Sequence, residues 1–411
     1  MEVLFYRYLM KYTIVFTAIL LFISCNNESD QKYNPEIVQT IHVDLSKVSD
    51  EINMSDYFSG ISYMPLRSPD GVPIGRIRKI LVHDRYLGFY DEAANRVWIY
   101  SKNGGYVNNI LIPEGRGPGE VTHLTDVILS EDDLIHALGA FKIVVYNLNG
   151  DFIREVNFDF FIYRFTYLDD DLYVGYAGNS LNTQIRNGDS GKNLFFFGSD
   201  GEIIKSAVPI PEGREQMRLM VASKFPTYDN VKKFYPHLSD TIYSINSDVV
   251  LPRYVLDYGD HSIPEEVFSK RQHYSRIPHE WVEFREKELI EKDYVINLFF
   301  FNETRRYVHF RVGTGSSQYN VIHDKVTEET KVGPRRFTND IDYAFVPFIY
   351  ESSDDALYTI IEAGDLIREL NHIYENEPGL YAHPNTQNLV NLANSLKEGS
   401  NPVLQVLHFK E

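Results

Sequence analysis

Chemistry in this 411-residue chain could start from only a few places. Residues 111–124 read LIPEGRGPGEVTHL, with Gly115, Gly117 and Gly119 spaced two apart. Such a stretch could offer backbone N–H groups to a phosphate, or merely turn a corner between strands. A P-loop needs G-x-x-x-x-G-K-[ST] opening a helix, and a dinucleotide fingerprint needs G-x-G-x-x-G between strand and helix. Neither pattern is met. Glu120 follows at once and leads into a β-like stretch, so no helix N-terminus is expected to hold an anion and the carboxylate would repel one. The spacing predicts a corner, from which Arg116 can still face a ligand.

The other reactive residue types do not converge in the sequence. The 13 histidines contain no H-E-x-x-H, and His273 and His279 stand six apart across Pro278, a poor match to the i, i+4 geometry of helical metal ligands. GTGSS at 313–317 is not the G-x-S-x-G elbow of a serine hydrolase. The carboxylate runs Asp169 to Asp171 and Asp354-Asp355 read as solvated turns. Cys25 is the single cysteine, which excludes disulfides and cysteine-based zinc clusters. No catalytic residue, metal ligand or cofactor is assigned.

The elements that must position any site are strands. The chain is 43 % hydrophobic and 14 % aromatic, with 29 Tyr and 26 Phe, residues suited to half-buried pleated surfaces. A net charge of −18 would repel a phosphate backbone, so nucleic acid is an unsuitable partner. An anionic membrane surface is disfavoured for the same reason, and attachment to a bilayer should be covalent or hydrophobic. The N-terminus supplies it: Arg7 and Lys11 precede an apolar run from Tyr12 to Ile23, then Ser24 and Cys25. A helix of that run rises only ~18 Å against a hydrocarbon core of ~30 Å, so a cleaved leader is expected rather than a membrane span. Met10 can serve as the start as well as Met1. Leu21-Phe22-Ile23-Ser24-Cys25 resembles a bacterial lipobox, which implies cleavage after residue 24 and lipidation of Cys25, with 25–38 as a flexible tether.

Behind the tether a unit recurs. RVWIYSKNGGYV (96–107), IVVYNLNGDFI (143–153) and NLFFFGSDGEII (193–204) each alternate apolar residues and then turn at Asn103-Gly104, Asn149-Gly150 or Asp200-Gly201. A fourth copy, DTIYSINSDVVLPRYVLDYGD (240–260), turns at Asn246-Ser247-Asp248. Repeats of this length with two to four strands each belong to propeller blades. Strands resume at 294–313, 319–333 and 342–363 as a fifth and a sixth blade. Residues 262–292 read as a helical insertion, divided at Pro278, with Trp281, Phe284 and Leu289 as an apolar stripe; 365–398 read as helical or irregular. The C-terminal NPVLQVLHFK is expected to pair with IHVDLS (41–46) and close the ring.

The stretch EGRGPGEVTHLTDVILSEDDLIHALGAFKIVVYNLNGDF resembles an NHL-type repeat, and Asp91, Asn95 and Arg96 in YDEAANRVWIY stand where such repeats carry an Asp and an Asn-Arg pair. With DTIYSI, LPRYVLDYG and the terminal NPVLQVLHFK, nearly the whole chain is similar to the six-bladed β-propeller lipoproteins of Bacteroidota, a family of unassigned function. The resemblance implies an all-β fold, a six-bladed β-propeller over 39–411, carried at the cell envelope by an N-terminal lipoprotein signal peptide (1–24).

Propellers bind at the channel mouth, where residues distant in sequence converge. By register that mouth would be formed by Arg76, Arg78, Arg116, His123, Tyr228 and His237. Arginine and aromatic side chains suit a sugar or a peptide. The expected function is non-catalytic binding of a glycan, peptide or envelope protein at the outer membrane. The alternative, a metal-dependent lyase or lactone hydrolase, requires a metal held on the channel axis by His and Asp or Glu.

Overall fold

The computed structural model describes residues 38–69, 71–168, 171–185, 188–217, 225–274 and 280–410. The expected leader, Cys25 and nearly all of the tether lie outside them. Two strands come first, β1 (Gln39–His42) and β2 (Phe58–Pro65). The first full sheet follows as β3 (Ile77–Val82), β4 (Tyr86–Asp91), β5 (Arg96–Ser101) and β6 (Tyr106–Leu111). The second holds β7 (Asp126–Leu129), β8 (Leu134–Leu138), β9 (Lys142–Asn147) and β10 (Phe152–Asn157), and the third β11 (Arg164–Tyr167), β12 (Tyr173–Tyr176), β13 (Lys192–Phe197) and β14 (Ile203–Pro209). Sheet four contains β15 (Thr227–Tyr228), β16 (Val231–Phe234), β17 (Thr241–Ile245) and β18 (Val250–Asp257), and sheet five β19 (Asn297–Glu303), β20 (Tyr307–Gly313), β21 (Gln318–Asp324) and β22 (Thr330–Pro334). The sixth comprises β23 (Ile349–Ser352), β24 (Ala356–Ile361) and β25 (Val403–Phe409).

Each of these sheets is antiparallel in chain order, as expected for units built from hairpins. The expected turn glycines sit between third and fourth strands with the left-handed backbone such turns need: Gly104 and Gly150 at φ +88° and Gly201 at φ +81°. Closure differs from the expectation. β25 pairs with β2, from Phe58↔Phe409 to Pro65↔Val403, whereas β1 runs parallel to β18 as a fifth strand of sheet four. The IHVDLS segment caps the outer edge of another sheet, and the closing strand is FSGISYMP.

Packing links the sheets in series. Val97, Val127 and Ile135 join sheets one and two. Val145, Phe165 and Phe195 join two and three, and Phe196, Phe234 and Ile245 join three and four. Ile242, Tyr254 and Phe310 join four and five; Ile322, Leu357 and Leu407 join five and six. Trp98, Tyr358 and Leu404 then join six to one, so the series returns to its start. This is a propeller-like all-β fold in which every sheet buries both faces against neighbours.

Alternation of strand direction gives the fold two unlike ends. Connections from first to second and third to fourth strands are short turns. Those from second to third and fourth to first carry the long excursions, including the helical segments of 265–274 and 280–290 and helices Ala363–Asn376 and Gln387–Ser395. The expected stripe is real: Phe284 and Leu289 are fully buried with Phe268, Met217 and Ile296, and Trp281 packs on Phe284 at 6.1 Å. Pro278, the expected divider, lies outside the described residues.

Candidate functional site

A cavity of about 1430 Å³ opens at the short-turn end. First strands form its walls, because β3, β7, β11, β15 and β23 each present their inner residues to the same space. Its wall holds Lys79 of β3, whose Nζ lies 2.7 Å from Asp126 Oδ1 of β7. The same carboxylate accepts Phe165 N of β11 at 3.2 Å, so one buried aspartate ties three sheets together. Towards the mouth come Asp84, Glu131, Asp132, Asp171, Asp200, Glu202, Glu351, Asp354 and Asp355, against Lys102, Lys232 and His83. Carboxylates dominate this surface.

Sheet five contributes no lining residue. The reason is geometric: the turns of sheets four and six meet, with Asp229 N 3.4 Å from both carboxylate oxygens of Asp354. Behind them Glu303 of sheet five is buried among Lys233 at 3.6 Å, Lys325 at 3.3 Å and Arg253 at 3.9 Å, and it accepts Tyr254 Oη at 2.6 Å. Burial raises the pKa of Asp354; the hydrogen bond from Asp229 N opposes the rise, and the charges of Asp229, Asp355 and Glu303 add to it. Burial also lowers Lys102, which Asp355 and Asp84 partly counter. The mouth therefore holds one carboxyl that takes up a proton more readily than its neighbours.

The sequence-derived residues sit elsewhere. Arg76, Arg116 and His123 are exposed on fourth-to-first connections, and His237 is buried on a second-to-third one, all at the long-connection end. Arg78 in β3 is half-buried, with Nε 4.0 Å from Glu92 Oε1. Tyr228 in β15 lies behind the Asp229–Asp354 contact, its ring 4.4 Å from Lys325 Nζ. His237 stacks on Tyr163 and shares a 2.7 Å hydrogen bond with its hydroxyl. The six do not assemble into one site, although Arg76 and Arg78 both act on Tyr350.

The loop at Gly115–Gly119 is a corner with its own anion built in. Gly117 N donates to Glu120 Oε2 at 2.8 Å, and a Cβ on Gly115 would stand 2.0 Å from that oxygen. Lys142 Nζ and Tyr146 Oη then hold the carbonyls of Gly117 and Gly119 at 3.0 and 2.8 Å. Glu120 fills the seat rather than repelling an occupant from outside it. Asp91 is also structural: fully buried, it accepts Gly75 N at 2.8 Å and Ala93 N at 3.1 Å, fastening the preceding connection to its sheet.

One contact invites a nucleophilic reading. Ser130 Oγ lies 2.9 Å from His136 Nε2, and His136 Nδ1 lies 3.0 Å from Tyr173 Oη. Burial pushes His136 down to about 3, which leaves a neutral ring too weakly basic to activate a hydroxyl. Equivalent first-turn positions carry His83, Thr304 and Ser353. Two of these cap their turns, His83 Nδ1 from Arg85 N at 3.2 Å and Thr304 Oγ1 from Tyr307 N at 2.9 Å. Ser130 likewise donates to Leu134 O at 3.1 Å. Its task is to hold a turn. Among the described residues no group of three or more His, Cys, Asp or Glu could hold a metal ion.

Comparison with known proteins places the chain. A family profile described as a domain of unknown function (DUF4934) matches residues 38–408. A solved structure from Bacteroides fragilis NCTC 9343 is 18 % identical, covering 91 % of this chain and 100 % of that one at a TM-score of 0.73. A duf4221 family member from Bacteroides vulgatus is 12 % identical, with 86 % and 97 % covered and a TM-score of 0.49. The WD40 domain of Neurospora crassa Pan2 is 11 % identical, with 69 % and 72 % covered and a TM-score of 0.32. No curated protein matches the chain. Among the described residues no helix is long and apolar enough to cross a membrane.

Proposed function

The chain belongs to the DUF4934 family, and from that premise we propose that it is a six-bladed β-propeller serving as a non-catalytic binding module at the cell envelope. The closed series of sheet contacts supports the blade count. The lipobox-like segment supports attachment of the outer-membrane form through lipidated Cys25, and metabolic labelling with a palmitate analogue tests it: Cys25→Ser should lose the label.

The observation that carries the binding role is the cavity, about 1430 Å³ and walled by five sheets, with carboxylates outnumbering cations at its mouth. A space of this size takes several sugar rings or a short peptide. Ionised carboxylates accept hydrogen bonds only, so they select donor-rich partners: sugar hydroxyls, or the ammonium and guanidinium groups of a basic peptide. An acidic mouth also steers a cationic ligand inwards. Glycan and basic-peptide arrays test the reading, with an Asp132→Asn, Asp355→Asn double variant as control. Ligands retained by the wild type and lost by the variant support it; ligands retained equally by both would move the site away from this mouth.

A further inference from the structure

At the opposite end one buried cation stands apart. Arg311 of β20 is only 5 % exposed, yet no ion pair or hydrogen bond to its guanidinium exists among the described residues, and its Nε is enclosed without a partner. Its guanidinium carbon lies over two rings set at right angles to each other, Phe300 at 5.3 Å and Phe348 at 6.0 Å. The neighbouring charge is like, not opposite: Arg335 acts on it, and together with burial drives its pKa down to about 10. Two residues on the same sheet face repeat the pattern. Asn302, 1 % exposed, has both side-chain amide atoms unpartnered, and fully buried His309 has Nδ1 unpartnered. Register places them together, since Phe300 pairs with Arg311 and Asn302 with His309.

A buried guanidinium without a counter-charge is strongly unfavourable, and buried donors are rarely left empty. We propose that this junction between sheets five and six is a site for one small oxyanion, a carboxylate or a phosphate, gripped by the free edge of Arg311. The planar fork meets two oxygens of such a group in bidentate fashion. Phe300 and Phe348 offer the cation their ring faces but supply no counter-charge. Exposed Arg335 and Arg336 lie beyond Pro334 on the outward side. Tyr350 packs edge-on against Phe348 at 5.7 Å, and burial with the Glu362 carboxylate raises its pKa against the opposing pull of Arg76 and Arg78. The site is separate from the acidic cavity and does not depend on its role.

Thermal unfolding of the full chain tests this with inorganic phosphate, sulfate, acetate and glucuronate, each compared with chloride at matched ionic strength. The wild type should gain stability with at least one oxyanion and show saturation. Arg311→Met should lose that gain while unfolding no earlier than wild type in chloride. Arg335→Gln should weaken the gain, and Arg368→Gln, far from the site in the chain and already paired with Asp365, should keep it. Carboxylates against phosphate and sulfate then identify which oxyanion is preferred. A wild type indifferent to all four, or an Arg311→Met variant that keeps the gain, overturns the proposal. Should Arg311→Met fail to fold, Arg311→Lys decides instead: it keeps the charge but loses the fork, and an undiminished gain in it equally rejects the site.

Discussion

Replacing Asp126 with alanine should be among the most damaging single changes outside the apolar core. Its side chain is 3 % exposed, and it receives Lys79 Nζ at 2.7 Å, Val127 N at 3.0 Å and Phe165 N at 3.2 Å, from first strands of three consecutive sheets. Removal leaves a lysine, itself 13 % exposed, without its partner in the cavity wall, and frees two buried backbone donors. Breaking a buried pair from one side costs about 3–5 kcal/mol, so a loss of about 4 kcal/mol is expected. Urea unfolding followed by the fluorescence of Trp98, buried in sheet one, together with that of Trp281, measures it. Lys79→Met combined with Asp126→Leu should recover all but about 1 kcal/mol, because the cost lies in the orphaned charge and not in the lost attraction. A single-variant loss below about 1 kcal/mol, or a double variant as damaged as the single one, would refute the reasoning.

Other outcomes follow from the same geometry. Gly201→Ala should cost several kilocalories, since its φ is +81° and the new Cβ would stand 1.8 Å from Asn157 O, whereas Gly188→Ala, with nothing within 4 Å, should lose only about 1 kcal/mol; chemical denaturation compares them. Ile61→Pro in β2 should unfold the closing sheet cooperatively, at a cost of about 3 kcal/mol or more by the same assay, if β2 is the closing strand. Because the folded-state pKa of Asp354 is raised, its contribution to stability is present at acid pH and lost as pH rises through that value; Asp354→Asn should flatten the stability profile on the upper side of the ordinary carboxylate range. A fluorophosphonate should leave Ser130 unlabelled at neutral pH, as judged by mass spectrometry, because His136 is no base for it.

Repeats were legible because hairpins advertise themselves: alternation and Asn-Gly or Asp-Gly pairs located three sheets, and the polar Asn246-Ser247-Asp248 turn a fourth. Closure was not. FSGISYMP lacks alternation and ends in proline, so nothing local distinguishes it from a loop, while IHVDLS alternates well and pairs with a distant edge. The acidic cavity was hidden for a related reason. Register along one strand indicates which residues face inwards, but which end stays open depends on where the long connections fall, and that is a property of the assembled sheets. In the sequence, Glu120 beside the glycine loop suggests a charge that repels an anion from outside; only the fold brings its carboxylate back onto Gly117 N. Arg311 sits in an ordinary-looking strand, HFRVG, and its lack of a partner exists only in three dimensions.

The central claim is that ligands enter the acidic cavity at the short-turn end. The direct measurement is a crystal structure of the protein with a glycan or basic peptide selected on an array. Density between the Lys79–Asp126 pair and the turns bearing Asp132 and Asp355, with ligand donors on those carboxylates, is the predicted result. Ligand density seated only at the long-connection end, with the cavity holding solvent alone, would contradict it.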